Sequence, residues 1–273
     1  MKLGLSINAF DATEHLETII GQIREHVDYI IGVWQKKSYW GNPIDEVDYN
    51  ELIRLKEKGL IDELMEFVPN LSLPAREEET KKRNNSIKRL MEVGCTHVLN
   101  IDADEYYDGE EFKNAKDYII KNKILITYCT YINYYKNFDN YLVYPFKPYV
   151  PFIHHVKYNY LFNGPAPGPT DPTRRINNPY SISQEVLPDE LIRMHHAAWI
   201  RKDIRKKLVN WSAKDFFPTE LIDKAVERFN NWKEGEDAIM LFNVPNNSVF
   251  TKRLPKRLTN IQIPFVDDDC LDS

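Results

Sequence analysis

Four times between Leu3 and Lys121 a short apolar run gives way to a segment of helical period, and this alternation restricts the fold more than any other feature. The runs are Leu3–Ile7, Tyr29–Trp34, Glu63–Val68 and Val98–Ile101. After the first, Leu16, Ile19, Ile20 and Ile23 recur at i, i+3, i+4 and i+7, the stripe of a helix packed on a core. Asp11, with Glu14 three residues on, has capping-box spacing and is expected to start that helix. Further helices are expected over Tyr49–Leu60 with Gly59 as a stop, over Arg76–Val93 with Gly94 as a stop, and over Glu110–Lys121. Strands that alternate with helices and read as nearly unbroken apolar runs imply an α/β fold with a mostly parallel central sheet. Such sheets take ligands beyond the carboxyl ends of their strands.

The second half has a different texture. Ile124–Tyr135 and Tyr141–Phe162 are tyrosine-rich and strand-like with no helix between them. Gly164-Pro165-Ala166-Pro167-Gly168-Pro169 can be neither helix nor central strand and reads as an irregular loop. Arg193–Trp199 reads as a further strand, and helices are expected over Lys202–Ser212 and Thr219–Trp232.

Several function classes are disfavoured at this level. Cys95, Cys129 and Cys270 contain no CxxC pair, which argues against a disulfide scaffold or a zinc ribbon and suits a reducing compartment. No apolar run reaches the roughly 18 residues of a membrane span, and the start MKLGLSINAF is too short in apolar residues for a signal peptide, so a cytoplasmic protein is expected. The net charge of −5 argues weakly against a dedicated nucleic-acid binder. The average hides a basic stretch, however: Arg193–Arg257 holds 14 Lys/Arg against 8 Asp/Glu, or +6, before the acidic Asp267-Asp268-Asp269. G-x-G-x-x-G, Walker P-loop, G-x-S-x-G and HExxH motifs are all missing, which weakens dinucleotide, NTPase, serine-hydrolase and zinc-protease readings.

The sharpest chemical feature is Asp102-Ala103-Asp104 at the end of an apolar strand. Residues i and i+2 of a strand share a face, so both carboxylates are expected in one cleft. Two neighbouring carboxylates repel unless a cation or proton lies between them, and Mg²⁺ or Mn²⁺, which favour oxygen ligands and share themselves with phosphates, suit that position. A D-x-D triplet is common by chance; Asp267-x-Asp269 is a second one, read as solvated charge. On the preceding helix Arg83 and Asn84 lie upstream of buried Ile87 on its core-facing side, which aims them at the same cleft. His195 and His196 face opposite ways on their strand, so at most one can join a given metal site, and strand alternation by itself favours His195. The basic run Arg201, Lys202, Arg205, Lys206 and Lys207 gives that neighbourhood a phosphate-binding character. His154-His155 reads as packing or acceptor surface.

The order of these features, KKRNNSIKRLMEVG, then THVLNIDADEYY, then HHAAWIRKDIRKKL, resembles the GT-A-fold glycosyltransferases, specifically glycosyltransferase family 2. The resemblance covers about the first 125 residues and again about 190–215. It implies a GT-A-like nucleotide-diphospho-sugar transferase fold: residues 1–125 a nucleotide-sugar-binding half, residues 126–273 the acceptor-side strands, Gly/Pro loop and closing helices, all one continuous catalytic domain. It implies a divalent Mn²⁺ or Mg²⁺ held by Asp102, Asp104 and His196, and a nucleotide-sugar donor, a UDP-sugar foremost, bound by Arg83, Asn84, Asp102 and Arg201. Counting back from Arg201 aligns the histidine of the family's pattern with His196. Where the family's second strand ends in an acidic residue, Val33-Trp34-Gln35-Lys36-Lys37 stands here, with Gln35 or Asp45 as substitutes, so the nucleotide stays open.

The activity expected on this resemblance is metal-dependent transfer of a sugar to an acceptor hydroxyl. A glycan, a lipid-linked sugar or a modified base in DNA would each suit the aromatic second half, and the net charge disfavours DNA. Inversion would need a carboxylate base, for which Asp189 is the candidate, with Glu190, Glu185 and Asp171 as alternatives. Two other classes stand beside this one: a metal-dependent nucleotidyltransferase or phosphohydrolase, and a non-catalytic carbohydrate-binding module.

Overall fold

A computed structural model of the chain describes residues 1–179, 182–239, 248–249 and 251–253. Cys270 and the Asp267–Asp269 triplet lie outside the described residues.

The first half follows the alternation read from the sequence: β1 (Leu3–Asn8), α1 (Leu16–Ile23), β2 (Tyr29–Trp34), α2 (Glu46–Glu57), β3 (Glu63–Glu66), α3 (Ala75–Glu92) and β4 (His97–Asp102). A two-residue β5 (Glu105–Tyr106) and α4 (Gly109–Asn122) follow. Asp108 caps α4 by accepting from the amides of Glu110 and Glu111. Gly59 and Gly94, at φ of 73° and 87°, follow α2 and α3 in the left-handed region that an L side chain resists.

The second half supplies β6 (Ile126–Tyr135), β7 (Asn137–Leu142), β8 (Tyr149–His155), β9 (Glu185–Val186) and β10 (Arg193–Trp199). Then come α5 (Ile204–Asn210), α6 (Thr219–Asn231) and three short strands, β11 (Ala238–Ile239), β12 (Ser248–Val249) and β13 (Thr251–Arg253).

The main sheet runs β13-β7-β6-β8-β4-β1-β2-β3, with β9 and β10 also on β6 and β5 on β10. Strands β4, β1, β2 and β3 are mutually parallel, and β8 enters antiparallel between β4 and β6. β10 lies parallel to β6. This is a mixed α/β architecture, a central sheet flanked by helices. Register aligns Asn8 with Asp102 on one side and with Val33 on the other, so the carboxyl ends of three parallel strands open at one level. One core cluster joins Leu5, Ile7, Leu16, Ile20 and Leu99 to Phe112, Phe152 and Met194, and so ties both halves to that sheet.

One local expectation is corrected. Asp11 caps no helix: Ala12 adopts φ 63° and a 3-10 turn, Thr13–His15, leads into α1. The strand-like run Tyr141–Phe162 holds the end of β7 and all of β8. Pro145 and Pro148 fall between β7 and β8, and Pro151 within β8 sits where its register against β6 shifts, because proline cannot donate to a ladder.

Candidate active site

A cavity of about 650 Å³ opens beyond the carboxyl ends of β1, β2 and β4. Asn8, Gln35, Asp102 and Asp104 form its strand-end floor, Glu79 and Lys82 come from α3, and His196 and Trp199 from β10. Asp171 and Arg174 enter from the loop after β8, and Arg201 and Lys207 from the segment after β10.

The two carboxylates of the acidic turn share the cavity but not their partners. β4 ends at Asp102 and residues 103–104 form a turn, so strict alternation no longer applies. Asp102 Oδ1 accepts from Arg83 Nη2 at 2.9 Å and from Asn8 Nδ2 at 3.2 Å, and Oδ2 lies 3.8 Å from Arg174 Nη2. Burial by itself would raise this carboxyl; Arg83 and then Arg174 outweigh it and hold it below the usual carboxylate range. Asp104 turns the other way. Its Oδ2 accepts from Lys207 Nζ at 2.6 Å and from Arg201 Nη2, and its Oδ1 lies 3.4 Å from His196 Nε2. Burial again opposes ionisation, and Lys207 and Arg201 overcome it, holding Asp104 well below the usual range.

Arg83 and Asn84 are not cavity residues. The Arg83 side chain is 0% exposed and binds Asn100 Oδ1 at 2.6 Å and Glu79 Oε1 at 2.7 Å as well as Asp102. Behind it Asn100 donates to Ser6 Oγ and Ser6 to Ser86 Oγ, a polar seam between β1, β4 and α3. Asn84 exchanges two hydrogen bonds with the Tyr160 backbone, at 2.9 and 2.8 Å, and so pins the segment after β8 to α3. Both residues, expected at the donor, stand behind the cavity lining.

The adjacent histidines separate, one into the core and one to the cavity. His195 is buried, with Nδ1 2.8 Å from the Tyr134 hydroxyl, and burial lowers its imidazole to about 4. His196 keeps 20% of its side chain exposed, lines the cavity and meets the Tyr131 ring edge-on. His154 is buried against Tyr160, as the packing reading required.

Among the four carboxylates weighed as base, Asp171 alone lines the cavity. Asp189 is held elsewhere: it accepts from Thr130 Oγ1 at 2.7 Å and from Lys147 Nζ at 3.2 Å, with Arg193 at 3.4 Å. Glu185 accepts from the Tyr118 hydroxyl, outside the cavity lining, and Glu190 is exposed. Asp171 Oδ1 accepts from the amide and hydroxyl of Thr173 at 2.8 and 2.9 Å, which fixes the carboxylate plane. Its side chain is 36% exposed, and Oδ2 lies 3.9 Å from Arg174 Nε. Arg174 itself is buried, its guanidinium paired with Glu105 through both terminal nitrogens. Sequence reading missed Arg174; the only signal was Asp171-Pro172-Thr173-Arg174, an Asx-Pro turn after the Gly/Pro loop.

Of the expected metal ligands, the structure brings two together. Asp104 Oδ1 and His196 Nε2, 3.4 Å apart at the cavity wall, form an oxygen–nitrogen pair that fits one divalent ion. Asp102, committed to Arg83, is not part of the pair. Among the described residues no group of three or more His, Cys, Asp or Glu could hold a metal.

No protein-family model matches the sequence, and no curated protein matches it. Among solved structures, Staphylococcus aureus TarS 1–349 aligns with 85% of this chain and 71% of its own at 14% identity and a TM-score of 0.43. The same fragment in complex with UDP-GlcNAc aligns with 49% of this chain and 35% of its own, at 17% identity and 0.35. A longer TarS chain is matched over only 22% of its length, so this chain spans about a fifth of it. A CMP:2-keto-3-deoxy-manno-octonic acid synthetase complexed with CTP aligns with 57% of this chain and 71% of its own, at 10% identity and 0.32. By its own strand order the chain has a mixed α/β fold, with the acidic turn placed beyond β4.

Proposed function

We propose that the protein is a glycosyltransferase that moves a sugar from a nucleoside-diphosphate sugar to an acceptor hydroxyl. The observation that carries this reading is the make-up of one cavity. Asp104, His196, Arg201 and Lys207 form one linked group in it, and Asp171 and the rings of Tyr131, Tyr144 and Tyr149 line the same cavity. The two cations suit an anionic leaving group. The rings and Asp171 suit a hydroxyl-bearing acceptor, since aromatic faces stack on sugars and a carboxylate takes a proton.

In the reaction supported by this arrangement, Asp171 accepts the proton of the acceptor hydroxyl as that oxygen bonds to the anomeric carbon. The bond from that carbon to the phosphate oxygen breaks, and its electron pair leaves with the nucleoside diphosphate. Arg201 and Lys207 oppose the charge that accumulates there, a preorganised stabilisation that needs no reorganisation during the step. A divalent ion held by Asp104 and His196 would add Lewis-acid neutralisation of the same charge. Asp102 lies at the cavity floor with both oxygens oriented by Arg83, suited to accept from a sugar or ribose hydroxyl.

The test is a screen of nucleotide-sugars, UDP-sugars first, read by nucleotide release, with Asp171→Asn as the partner experiment. Loss of a general base predicts a fall in kcat of about 10²–10⁴-fold with donor affinity retained. Turnover unchanged in Asp171→Asn would remove the base assignment, and failure of every nucleotide-sugar to bind would remove the reading.

A further inference from the structure

Two consecutive cations on α3 meet different surroundings. Arg83 is paired with Glu79, Asn100 and Asp102 behind the cavity, whereas Lys82 lines it. Lys82 is only 2% exposed. Among the described residues its ammonium forms no ion pair and a single long hydrogen bond, from Nζ to the Ala9 carbonyl at 3.5 Å. An ammonium has three donors, and a buried charge is ordinarily paired. The position is therefore one that protein groups leave unsatisfied.

Ala9 follows β1, and its amide donates to the Val33 carbonyl of β2 at 2.9 Å, so the amine stands where these two strands end. Other polar atoms from the same strand ends lack partners too. Asn8 Oδ1, Gln35 Oε1 and the Tyr39 hydroxyl are buried with no hydrogen-bond partner among the described residues, and all three side chains line the cavity. Glu79, Arg83 and Asp102 act electrostatically on both the Tyr39 hydroxyl and the Lys82 amine, which puts these two groups in one neighbourhood. Arg201 and Lys207 meet Asp104 beyond β4 instead. A nucleotide whose diphosphate lies at that acidic turn has its nucleoside left to satisfy the ends of β1 and β2. On the reading of the cavity as a nucleotide-sugar site, we propose that Lys82 binds the nucleoside part of the donor, donating to a carbonyl or hydroxyl oxygen, and that it takes up a proton as the nucleotide binds.

The direction of the proton follows from the charges that face Lys82. These are Glu79 and Arg83 on α3, Asp102 at the end of β4 and Asp11 after β1. Burial is the largest influence and, with Arg83, outweighs the three carboxylates, lowering the amine to about 7. Much of the lysine is then neutral at pH 8. An oxygen acceptor and the negative charge of a nucleotide both favour the ammonium, so binding draws in a proton and weakens as pH rises.

Calorimetric titration of UDP tests this, in EDTA so that no metal takes part. Tris and HEPES at pH 8 differ in ionisation enthalpy and so report the protons exchanged. The wild type is expected to take up about half a proton or more per UDP, and to bind UDP about fivefold or more weakly at pH 8.5 than at pH 7. Lys82→Met is expected to lose the uptake and to weaken UDP about tenfold or more at pH 7, with inorganic pyrophosphate kept within about threefold. Lys82→Arg, charged throughout this range, should keep UDP within about threefold of wild type at pH 7 with no uptake and a flat pH profile. A merely structural role for Lys82 would not produce that pattern. Should Lys82→Met fail to fold by circular dichroism, the comparison of wild type with Lys82→Arg decides. No uptake in the wild type, uptake retained in either variant, UDP affinity unchanged in Lys82→Met, or equal loss of UDP and pyrophosphate would overturn the proposal while leaving the nucleotide site standing. Failure of the wild type to bind UDP or any other nucleoside diphosphate at any of these pH values would overturn the functional reading, and this inference with it.

Discussion

Arg83 shows how far a side chain's role departs from its position in a motif. Its spacing from Ile87 placed it on the inward side of α3, and it is there, but it stops at Asn100, Glu79 and Asp102 without reaching the cavity lining. Removing a fully buried cation leaves its carboxylates uncompensated. Arg83→Met is therefore expected to lower unfolding free energy by about 3–5 kcal/mol, the range for breaking a buried pair. Urea denaturation would measure it; a variant of wild-type stability with selectively weakened donor binding would return Arg83 to the donor site. The two histidines give the complementary contrast. His195→Ala leaves the Tyr134 hydroxyl without its partner and should cost about 1–3 kcal/mol. His196→Ala should melt close to wild type and lose metal–nucleotide affinity instead. Calorimetry and Mn²⁺ titration on the same two proteins check both halves, and a reversed pattern would refute the placement.

At the scale of elements, the site depends on how tightly its carriers approach one another. The segment after β10 is tied across to the loop after β2 by Trp40 Nε1 donating to the Trp211 carbonyl at 2.7 Å and Asn42 Nδ2 donating to Asn210 Oδ1 at 2.9 Å. Ser212 donates to Glu79 on α3, which joins the same segment to the Arg83 seam. On the far side, glycine is required at position 109, the first residue of α4, because a Cβ there would stand 2.6 Å from the Gln22 carbonyl oxygen. That oxygen is backbone and cannot swing aside. Gly109→Ala is expected to destabilise by about 1–3 kcal/mol, the cost of overpacking. A thermal melt within error of wild type would show that α1 and α4 separate more easily than this contact implies.

For the whole molecule, acid stability is set in part by histidines kept neutral inside the fold. Burial, the largest cause in each case, lowers His15 to about 3 and His97, His154 and His195 to about 4. The unfolded chain protonates them near 6.5, so between that pH and about 4 it binds more protons than the native state. Stability from these groups is thus present above pH 6.5 and is lost as pH falls towards 4. Glu14, Glu79 and Glu111, raised mainly by burial, act oppositely just above the ordinary glutamate value of 4.5. The expected result is a decline in unfolding free energy from pH 6.5 to 5, with the four imidazoles still neutral at pH 5 by NMR in the native state. Titration of any of them near 6.5 in the folded protein would remove its share.

What the sequence settled about this chain is local or periodic. Leu16, Ile19, Ile20 and Ile23 announce α1 because a helix repeats every few residues, and Asp102 and Asp104 enter one cavity because an apolar strand ends there. The parallel half-sheet follows from the same alternation. Tertiary structure decided the partners. Asp104 meets Lys207 across 103 residues and Asp102 meets Arg174 across 72, and no local spacing encodes a contact closed by a returning chain. The placement of Asp171 and not Asp189 at the cavity arose in the same way: both are acidic residues in the second half, but β6 and Lys147 hold one while the turn after the Gly/Pro loop delivers the other to the cavity. Periodicity sets which face of an element is buried; which charges then share that space depends on how the elements pack, and packing sums many weak contacts that no short window contains.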